Sequence, residues 1–313
     1  MFSFFRDRIA VTMLVVFCCA NAQAAPKSHD WVGIVSGSIG NDDNLTLTDD
    51  SSAVASDQED EYVEILGSAS RYVSGVRNDG VRINGTLFTR QYESESDFNF
   101  TLLGAGVGYD KTFADWKARF DLGYDYIDFG SETYQRVTKL GVEGRRRLTK
   151  STELRLRYEA NFIDAGENFS NLDGTRQYVR AETRIKQGSN RYRLSYTYQT
   201  NDRDDRRGTT TFSSASPNRH ILRANARIPF NQKWQGEIDA RYRSSRYRDR
   251  NILSDGSTTT REDDRFRSLL GIEYKLTGET KLFGRYQYYD NDSNIDGRSY
   301  ERNLVSVGAQ LTF

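Results

Sequence analysis

The chain has 313 residues and a balanced charge, with 44 Lys and Arg against 44 Asp and Glu. This balance argues against the uniformly basic surface of a nucleic-acid-binding protein. With 19 Tyr, 17 Phe and only 3 Pro, the composition is rich in strand-forming residues and excludes intrinsic disorder.

The N-terminus has the pattern of a secretory signal peptide. Arg6 and Arg8 precede the apolar stretch Ile9–Ala20, and Ala22–Ala24 has the sequence of an A-x-A cleavage site. The apolar stretch is too short to remain as a transmembrane helix. We therefore predict a signal peptide over residues 1–24 and a single mature domain over residues 25–313, beginning near Ala25 and without cysteine.

From Trp31 onward, apolar and polar residues alternate with a period of two, as they do in half-buried strands. Trp116–Tyr126, Leu154–Phe162 and Trp234–Tyr242 are three of the clearest runs. No run of about 18 apolar residues follows the signal peptide, which excludes a helical membrane protein. We predict about fourteen strands, centred near residues 36, 67, 86, 104, 121, 141, 158, 181, 195, 223, 240, 270, 286 and 307.

Two kinds of connection alternate along the chain. Short turns are predicted at Asp110–Phe113, Thr149–Thr152, Gly188–Asn190, Asn231–Lys233 and Thr277–Thr280. Longer polar links are predicted at Asn41–Glu61, Asp164–Gly174, Asn201–Pro217, Arg248–Asp264 and Asn291–Arg298. This alternation is typical of outer-membrane barrels. We therefore predict an all-β fold, a transmembrane up-and-down antiparallel β-barrel in the lipid of the cell outer membrane, with a soluble all-β protein as the alternative.

The C-terminus has an apolar residue at every second position between Val305 and Phe313. This pattern resembles the signal by which the barrel assembly machinery recognises outer-membrane barrels. The resemblance implies that machinery as a partner during biogenesis, with Leu311 and Phe313 as the signal residues.

If the apolar face meets lipid, the opposite face of each strand lines the lumen and is mainly basic. The predicted basic wall consists of Arg119, Arg155, Arg157, Arg180, Arg184, Arg193, Arg223, Arg227, Arg241, Arg243, Arg265, Arg267 and Arg285. Two interpretations remain open. Either cross-strand pairs with Glu and Asp stabilise the wall, or excess positive charge favours anionic solutes in a water-filled passage.

The first long loop is strongly acidic. Gly104, Gly106 and Gly108 on the inward face of the fourth strand leave room for another segment to pack closely. We hypothesise that the loop folds into the mouth towards the basic wall and gates it, whereas a solvated loop is the alternative. The gating residues would be Asp42, Asp43, Asp49, Asp50, Asp57, Glu59 and Asp60.

The sequence offers little for catalysis or metal binding. Its only histidines are His29 and His220, and His220 follows Ser213, Ser214 and Ser216, from which a Ser–His pair is conceivable. An exposed loop serine beside a lone histidine is ordinarily without a catalytic role. The Asp-rich loop segments lack full EF-hand spacing. We predict no enzymatic activity, no cofactor and no metal site.

The segment Gly37–Thr46 resembles the opening of a loose group of bacterial outer-membrane barrels, in which a glycine-bearing strand enters an Asp/Asn-rich loop. The group includes barrels encoded with exopolysaccharide synthesis and export systems, and the barrel part of surface-lipoprotein assembly modifiers. This chain lacks the helical-repeat domain of the modifiers. The exopolysaccharide resemblance implies passage or surface handling of a polymer, and a basic lumen would suit acidic sugars.

Three functions are therefore considered. The first is a porin-like channel giving aqueous passage to small anionic or sugar-like solutes, and the second is the barrel component of an exopolysaccharide secretion system. The third is a surface-interaction barrel that acts through its long loops. The expected partners are polysaccharide or anionic solute, and nucleic acid is not expected.

Overall fold

The computed structural model describes residues 31–45, 47, 58–207, 211–253 and 255–313. The predicted signal peptide and the expected start of the mature chain at Ala25 lie outside these residues. Within the described ranges, no helix combines the length and the apolar character needed to cross a membrane.

Fourteen long strands and two very short ones make up the sheet, because the alternating sequence leaves each strand one apolar face and one polar face. The strands are β1 (Val32–Asp42), β2 (Asp60–Val76), β3 (Asp79–Tyr92), β4 (Phe100–Phe113), β5 (Trp116–Phe129), β6 (Glu132–Arg147), β7 (Thr152–Ala165), β8 (Gly174–Gln187), β9 (Asn190–Arg203), β10 (Arg206–Arg207), β11 (Phe212–Ser213), β12 (Pro217–Pro229), β13 (Trp234–Ile252), β14 (Thr258–Lys275), β15 (Thr280–Ser293) and β16 (Tyr300–Thr312).

The sheet closes on itself. Consecutive long strands pair antiparallel, and the first strand, β1, pairs with the last, β16, from Ile34 opposite Thr312 to Asp42 opposite Leu304. Every predicted strand centre falls within one of the fourteen long strands. The prediction of an up-and-down antiparallel barrel of about fourteen strands is confirmed.

One end of the barrel carries short turns, as predicted, but the turn predicted at Asp110–Phe113 is wrong. Strand β4 continues through these residues, and the turn lies at Ala114 and Asp115, where Ala114 has a φ of 45°. The strand continues because the Asp110 carboxylate accepts a hydrogen bond from Arg119 Nε on β5 at 2.7 Å. Asp110, which the sequence analysis assigned to a turn, therefore belongs to the barrel wall.

The other end carries the connections that were predicted to be long, but some of them are short. Strands β5 and β6 are joined there only by Gly130 and Ser131, both with positive φ. The link predicted at Arg248–Asp264 is largely strand, since β13 ends at Ile252 and β14 begins at Thr258. Three of the remaining links contain short elements, namely the 3₁₀ turns Ser96–Phe98 and Glu167–Leu172 and the strands β10 and β11.

The outer surface is apolar. Val107, Leu122, Leu140, Leu194 and Val307 belong to a large set of exposed hydrophobic side chains on the long strands. A soluble protein rarely exposes so continuous an apolar surface, whereas a bilayer-embedded barrel requires one.

A buried ionic contact joins the first and last strands. The Asp42 side chain on β1 is fully buried and accepts a hydrogen bond from Arg302 Nε on β16 at 2.7 Å. The Tyr92 hydroxyl on β3 donates to the same carboxylate at 2.8 Å, and Arg90 Nη1 lies 4.0 Å away. Arg90 in turn contacts Glu64 on β2 at 2.6 Å. The network therefore links four neighbouring strands across the closure.

Substitution Asp42→Ala should destabilise the barrel strongly, because it leaves Arg302 buried without its carboxylate. We expect the free energy of unfolding to fall by about 3–5 kcal/mol, measured by urea denaturation of the refolded barrel in detergent. The control is Asp115→Ala, since the Asp115 side chain is 76% exposed and lies 3.5 Å from Arg146. That control should lose less than about 1 kcal/mol, and equal losses in the two variants would contradict the role of the network.

Candidate functional site

The strand register identifies the face that lines the lumen. Arg223, Arg241 and Arg267 stand directly opposite one another on β12, β13 and β14. Their chain neighbours Leu222 and Tyr242 are exposed on the apolar outer surface. Because side chains alternate along a strand, the arginines point inwards. By the same parity, all residues of the predicted basic wall lie on the inner face.

Part of the inner wall is an ion-pair network. Arg157 on β7 lies 3.0 Å from Asp121 on β5 and 2.6 Å from Glu159, and Arg82 on β3 contacts Asp121 at 2.9 Å. Charge-assisted pairs of this kind satisfy each other across neighbouring strands. The basic-wall residues with a carboxylate oxygen within 4.0 Å are Arg119, Arg155, Arg157, Arg184, Arg193, Arg223 and Arg227.

The rest of the basic wall has no carboxylate partner in the part of the chain that the structure describes. Among the described residues, no Asp or Glu oxygen lies within 4.0 Å of Arg180, Arg241, Arg243, Arg265, Arg267 or Arg285. We call these six residues the unpaired arginine group. Five of them lie on the consecutive strands β13, β14 and β15.

Within the unpaired arginine group, like charges face each other. Arg241 stands opposite Arg267, and Arg243 stands opposite Arg265. Directly opposed like charges destabilise a sheet. Arg243 Nε is buried without a hydrogen-bond partner in the described part of the chain. The guanidinium groups thus keep donor capacity and positive charge directed into the lumen.

Aromatic rings hold several of these guanidinium groups in place. The Arg265 Cζ atom lies 5.1 Å from the Tyr300 ring centroid, and the Arg285 Cζ atom lies 4.1 Å from that of Phe283. Such contacts fix a cation without neutralising it. The group is therefore oriented but still charged.

Charged side chains of the neighbouring strands lie against the inward glycines of β4. A Cβ atom at Gly104 would lie 2.8 Å from Asp125 Oδ1, and one at Gly108 would lie 2.8 Å from Arg82 Nη2 and Asp121 Oδ1. The glycines therefore let charged side chains of neighbouring strands lie flat against the wall. A polar recess of about 380 Å³ remains beside them, lined by Ser68 and Lys139 among others.

The first loop enters the mouth at both of its described ends. Leu45 is buried against Tyr62, Tyr92 and Leu304 of the inner face. Of the predicted gating residues, Asp42 and Asp60 are buried, Asp43 bonds Asn303, and Glu59 accepts from Asn41. Asp60 accepts from the backbone N–H groups of residues 94 and 95 at 2.9 and 2.8 Å. Asp49, Asp50 and Asp57 lie outside the described residues.

Sequence reasoning missed an aromatic arc on the inner rim. It comprises Phe98, Phe129, Tyr134 and Phe169, with neighbouring ring centroids 6.2, 6.1 and 5.0 Å apart. Phe129 faces inwards because it pairs with Phe100, which stands opposite the inward-facing Arg90. Parity had assigned apolar side chains to the lipid face. The available signal was a break in alternation at the consecutive apolar residues Tyr126 and Ile127, in the strand that carries Phe129.

No catalytic constellation forms around the histidine considered from the sequence. His220 Nδ1 lies 2.7 Å from the exposed Tyr196 hydroxyl on the outer face, while Ser214 and Ser216 are buried in the adjoining link. His29 lies outside the described residues. Over the described ranges, no group of three or more His, Cys, Asp or Glu side chains is placed to hold a metal ion.

The proposed assembly-signal residues sit at the closing seam. Phe313 exchanges backbone hydrogen bonds of 2.8 and 3.0 Å with Gly33, and Leu311 is buried beside β1. The contact extends the pairing of β1 with β16 to the C-terminal residue. Recognition by the assembly machinery remains a prediction.

The comparisons place the chain among outer-membrane barrels. Residues 207–313 match the family model described as "Putative beta-barrel porin 2". No curated protein matches the sequence.

Solved porin structures share the fold. An anion-selective porin from Comamonas acidovorans is similar with a TM-score of 0.52 and 12% identity, covering 91% of this chain and 99% of that chain. The outer membrane channel DcaP of Acinetobacter baumannii has a TM-score of 0.52 and 11% identity, covering 93% of this chain and 100% of that chain. A loop-deletion mutant of the outer membrane protein OmpT of Vibrio cholerae has a TM-score of 0.51 and 11% identity. The match covers 91% of this chain and 98% of that chain. At these identities the likeness concerns the fold.

The family match, the closed barrel and the apolar outer surface agree with one another. Together they support a porin-like outer-membrane channel. The chain is an outer-membrane β-barrel protein with the fold of the porins.

Proposed function

We propose that this barrel gives aqueous passage across the outer membrane to small anionic or sugar-like solutes, which its arginine-lined lumen favours. The observation that carries the proposal is the unpaired arginine group, Arg180, Arg241, Arg243, Arg265, Arg267 and Arg285, on the inner face. Charge of one sign along a low-dielectric wall concentrates the opposite ion in the passage.

The two interpretations of the basic wall apply to different parts of it. The ion-pair network around Arg157 and Asp121 has the geometry of a structural ladder. Structural pairing does not account for Arg241 and Arg267, which oppose each other and have no carboxylate within 4.0 Å among the described residues. An anion in the passage would relieve that repulsion, which is why we assign this part of the wall to solutes.

Barrel size supports an aqueous interior. About eight strands enclose a space that their own side chains fill, and this barrel has fourteen long strands. The glycines of β4 also keep the charged side chains of that side close to the wall, as the 2.8 Å spacing at Gly104 indicates. Water and small solutes are therefore the natural occupants.

The double variant Arg241→Gln/Arg243→Gln should lower anion preference, because it removes positive charge that no carboxylate of the described residues pairs with. We expect the anion-to-cation permeability ratio to fall by about twofold to fivefold at low salt, and the difference to shrink near 1 M salt, where the Debye length is about 3 Å. The measurement is the reversal potential of the refolded protein in a planar bilayer under a salt gradient.

The matched control is Arg155→Gln/Glu153→Gln, which removes an ion pair of 2.6 Å without changing net charge. It should leave the permeability ratio unchanged. Equal anion and cation permeability in the unmodified protein would reject the anion preference. A barrel without conductance would reject the channel and favour secretion with periplasmic partners or surface binding.

We also propose that the acidic first loop gates the mouth. Leu45 packs on Tyr62 and Leu304 inside the rim, so the loop starts from within the lumen. Deleting residues 49–57 spares the bonds made by Asp42 and Asp60 and removes only the middle of the loop.

For this deletion we expect fewer brief closures and a higher mean conductance in single-channel recordings. A deletion of residues 255–256 in the link between β13 and β14 serves as the control. Unchanged noise and conductance after deletion of residues 49–57 would show that the loop is a solvated surface segment.

Transport of a polysaccharide and dependence on the assembly machinery are further predictions. Genes for polysaccharide synthesis beside this one would favour the secretion role. Loop deletions that abolish adhesion but leave conductance intact would favour the surface-interaction role.

A further inference from the structure

We propose that the outer mouth of the lumen binds an acidic sugar, a pyranose ring that carries a carboxylate, between the aromatic arc and three arginines. This inference rests on the proposed channel function and names its solute class. The arc is Phe98, Phe129, Tyr134 and Phe169, and the arginines are Arg176, Arg203 and Arg219.

All of these residues lie at the loop end of the barrel. Tyr134 is near the start of β6, Arg176 near the start of β8, Arg203 at the end of β9 and Arg219 near the start of β12. Phe169 belongs to the 3₁₀ turn that connects β7 and β8. A solute entering from outside meets this set before the unpaired arginine group.

Backbone contacts hold the aromatic side of the mouth in position. The Gly166 N–H donates to the Tyr134 carbonyl at 3.1 Å, and the Asp204 N–H donates to the Asp173 carbonyl at 2.9 Å. Arg203 Nη1 also donates to the Leu172 carbonyl. The link between β7 and β8 is therefore fastened at both ends, and Phe169 is fixed against Tyr134.

The aromatic rings are arranged to receive a flat, partly apolar ligand. The Tyr134 and Phe169 rings meet edge to face at 83°, so that they present a stepped surface. All four rings are only half-buried. The C–H-bearing faces of pyranose rings pack on such surfaces, as other amphipathic groups do on aromatic side chains.

The arginine side supplies unused donors. Arg203 donates to the carbonyl of Leu172, which follows Phe169 in the same 3₁₀ turn, so the two sides of the site are close together. Arg176 stands opposite Asn201 of β9, the strand that ends at Arg203, and Arg219 stands opposite Gln199 of that strand. Within the described ranges, no carboxylate lies within 4.0 Å of any of the three. The Nε atoms of Arg203 and Arg219 are buried without a hydrogen-bond partner there. A guanidinium group without a carboxylate partner can bind the carboxylate of a ligand in a bidentate manner.

The combination selects one solute class. An inorganic anion satisfies the arginines but gains nothing from the rings, and a neutral sugar packs on the rings but leaves the arginines unpaired. A sugar acid uses both, and its hydroxyl groups are acceptors for the remaining guanidinium N–H groups.

The test uses tetragalacturonate, which carries four carboxylates, and maltotetraose, which has the same length and no charge. Tetragalacturonate should interrupt the single-channel current of the full-length barrel at concentrations at least about tenfold below those needed for maltotetraose. Calorimetric titration of the detergent-solubilised protein should show the same ranking, and it does not depend on conductance.

Two variants separate the contributions of the rings and the charges. Tyr134→Leu/Phe169→Leu should weaken tetragalacturonate binding about tenfold and leave the reversal potential unchanged. Arg203→Gln/Arg219→Gln should weaken tetragalacturonate binding and leave maltotetraose unaffected. The control is Phe113→Leu, an exposed aromatic residue at the short-turn end of β4, and it should change neither. Unheated gel mobility verifies that each variant is folded.

Equal affinity for the two oligosaccharides, or unchanged tetragalacturonate affinity in both variants, would overturn the inference. If the reversal potential still shows anion preference in that case, the proposed function stands and only the sugar-acid site fails. If calorimetry shows binding but the bilayer shows no current, the site stands and the channel function fails.

Discussion

The whole structure depends on one requirement, that every backbone N–H and C=O group within the bilayer finds a partner inside the protein. A sheet meets it only when it has no edge, and here the edge is removed by the pairing of β1 with β16. The Asp42–Arg302 contact stands at the end of that seam and joins residues far apart in the sequence. Closure therefore relies on a backbone ladder and a buried ionic contact at the same place.

Closure also decides which chemistry faces inwards. Once the apolar faces meet lipid, strand alternation directs the charged residues into the lumen, where they meet across neighbouring strands. Carboxylates pair with the arginines around Arg157 and Asp121, whereas no carboxylate of the described ranges lies within 4.0 Å of Arg241 or Arg243. The lumen thus has one part in which ion pairs neutralise the arginines and stiffen the wall. In the other part, the unpaired arginine group carries a net positive charge.

The strand count and the direction of the arginines were predictable because both depend only on a period of two. The continuation of β4 through Asp110–Phe113 was not predictable. The partner of Asp110 is Arg119 on the next strand, and that pairing depends on the strand register. The aromatic arc was missed for a related reason. The prediction assigned apolar residues to the lipid face, yet Phe129 points inwards, opposite the inward-facing Phe100. Which arginines stay unpaired also depends on register and on side-chain reach.

Lack of room does not explain why Arg241 has no carboxylate partner among the described residues. Asp239 lies two residues away on the same face of β13, and its carboxylate pairs with Arg223 at 2.8 Å rather than with Arg241. A wall that served only to be stable would gain by placing another carboxylate opposite Arg241, where Arg267 stands instead. An anion that passes through the lumen can offset this repulsion only while it is present. The like-charge row is therefore better explained as part of a path for solutes than as part of the scaffold, and the half-buried aromatic rings at the mouth extend that path outwards.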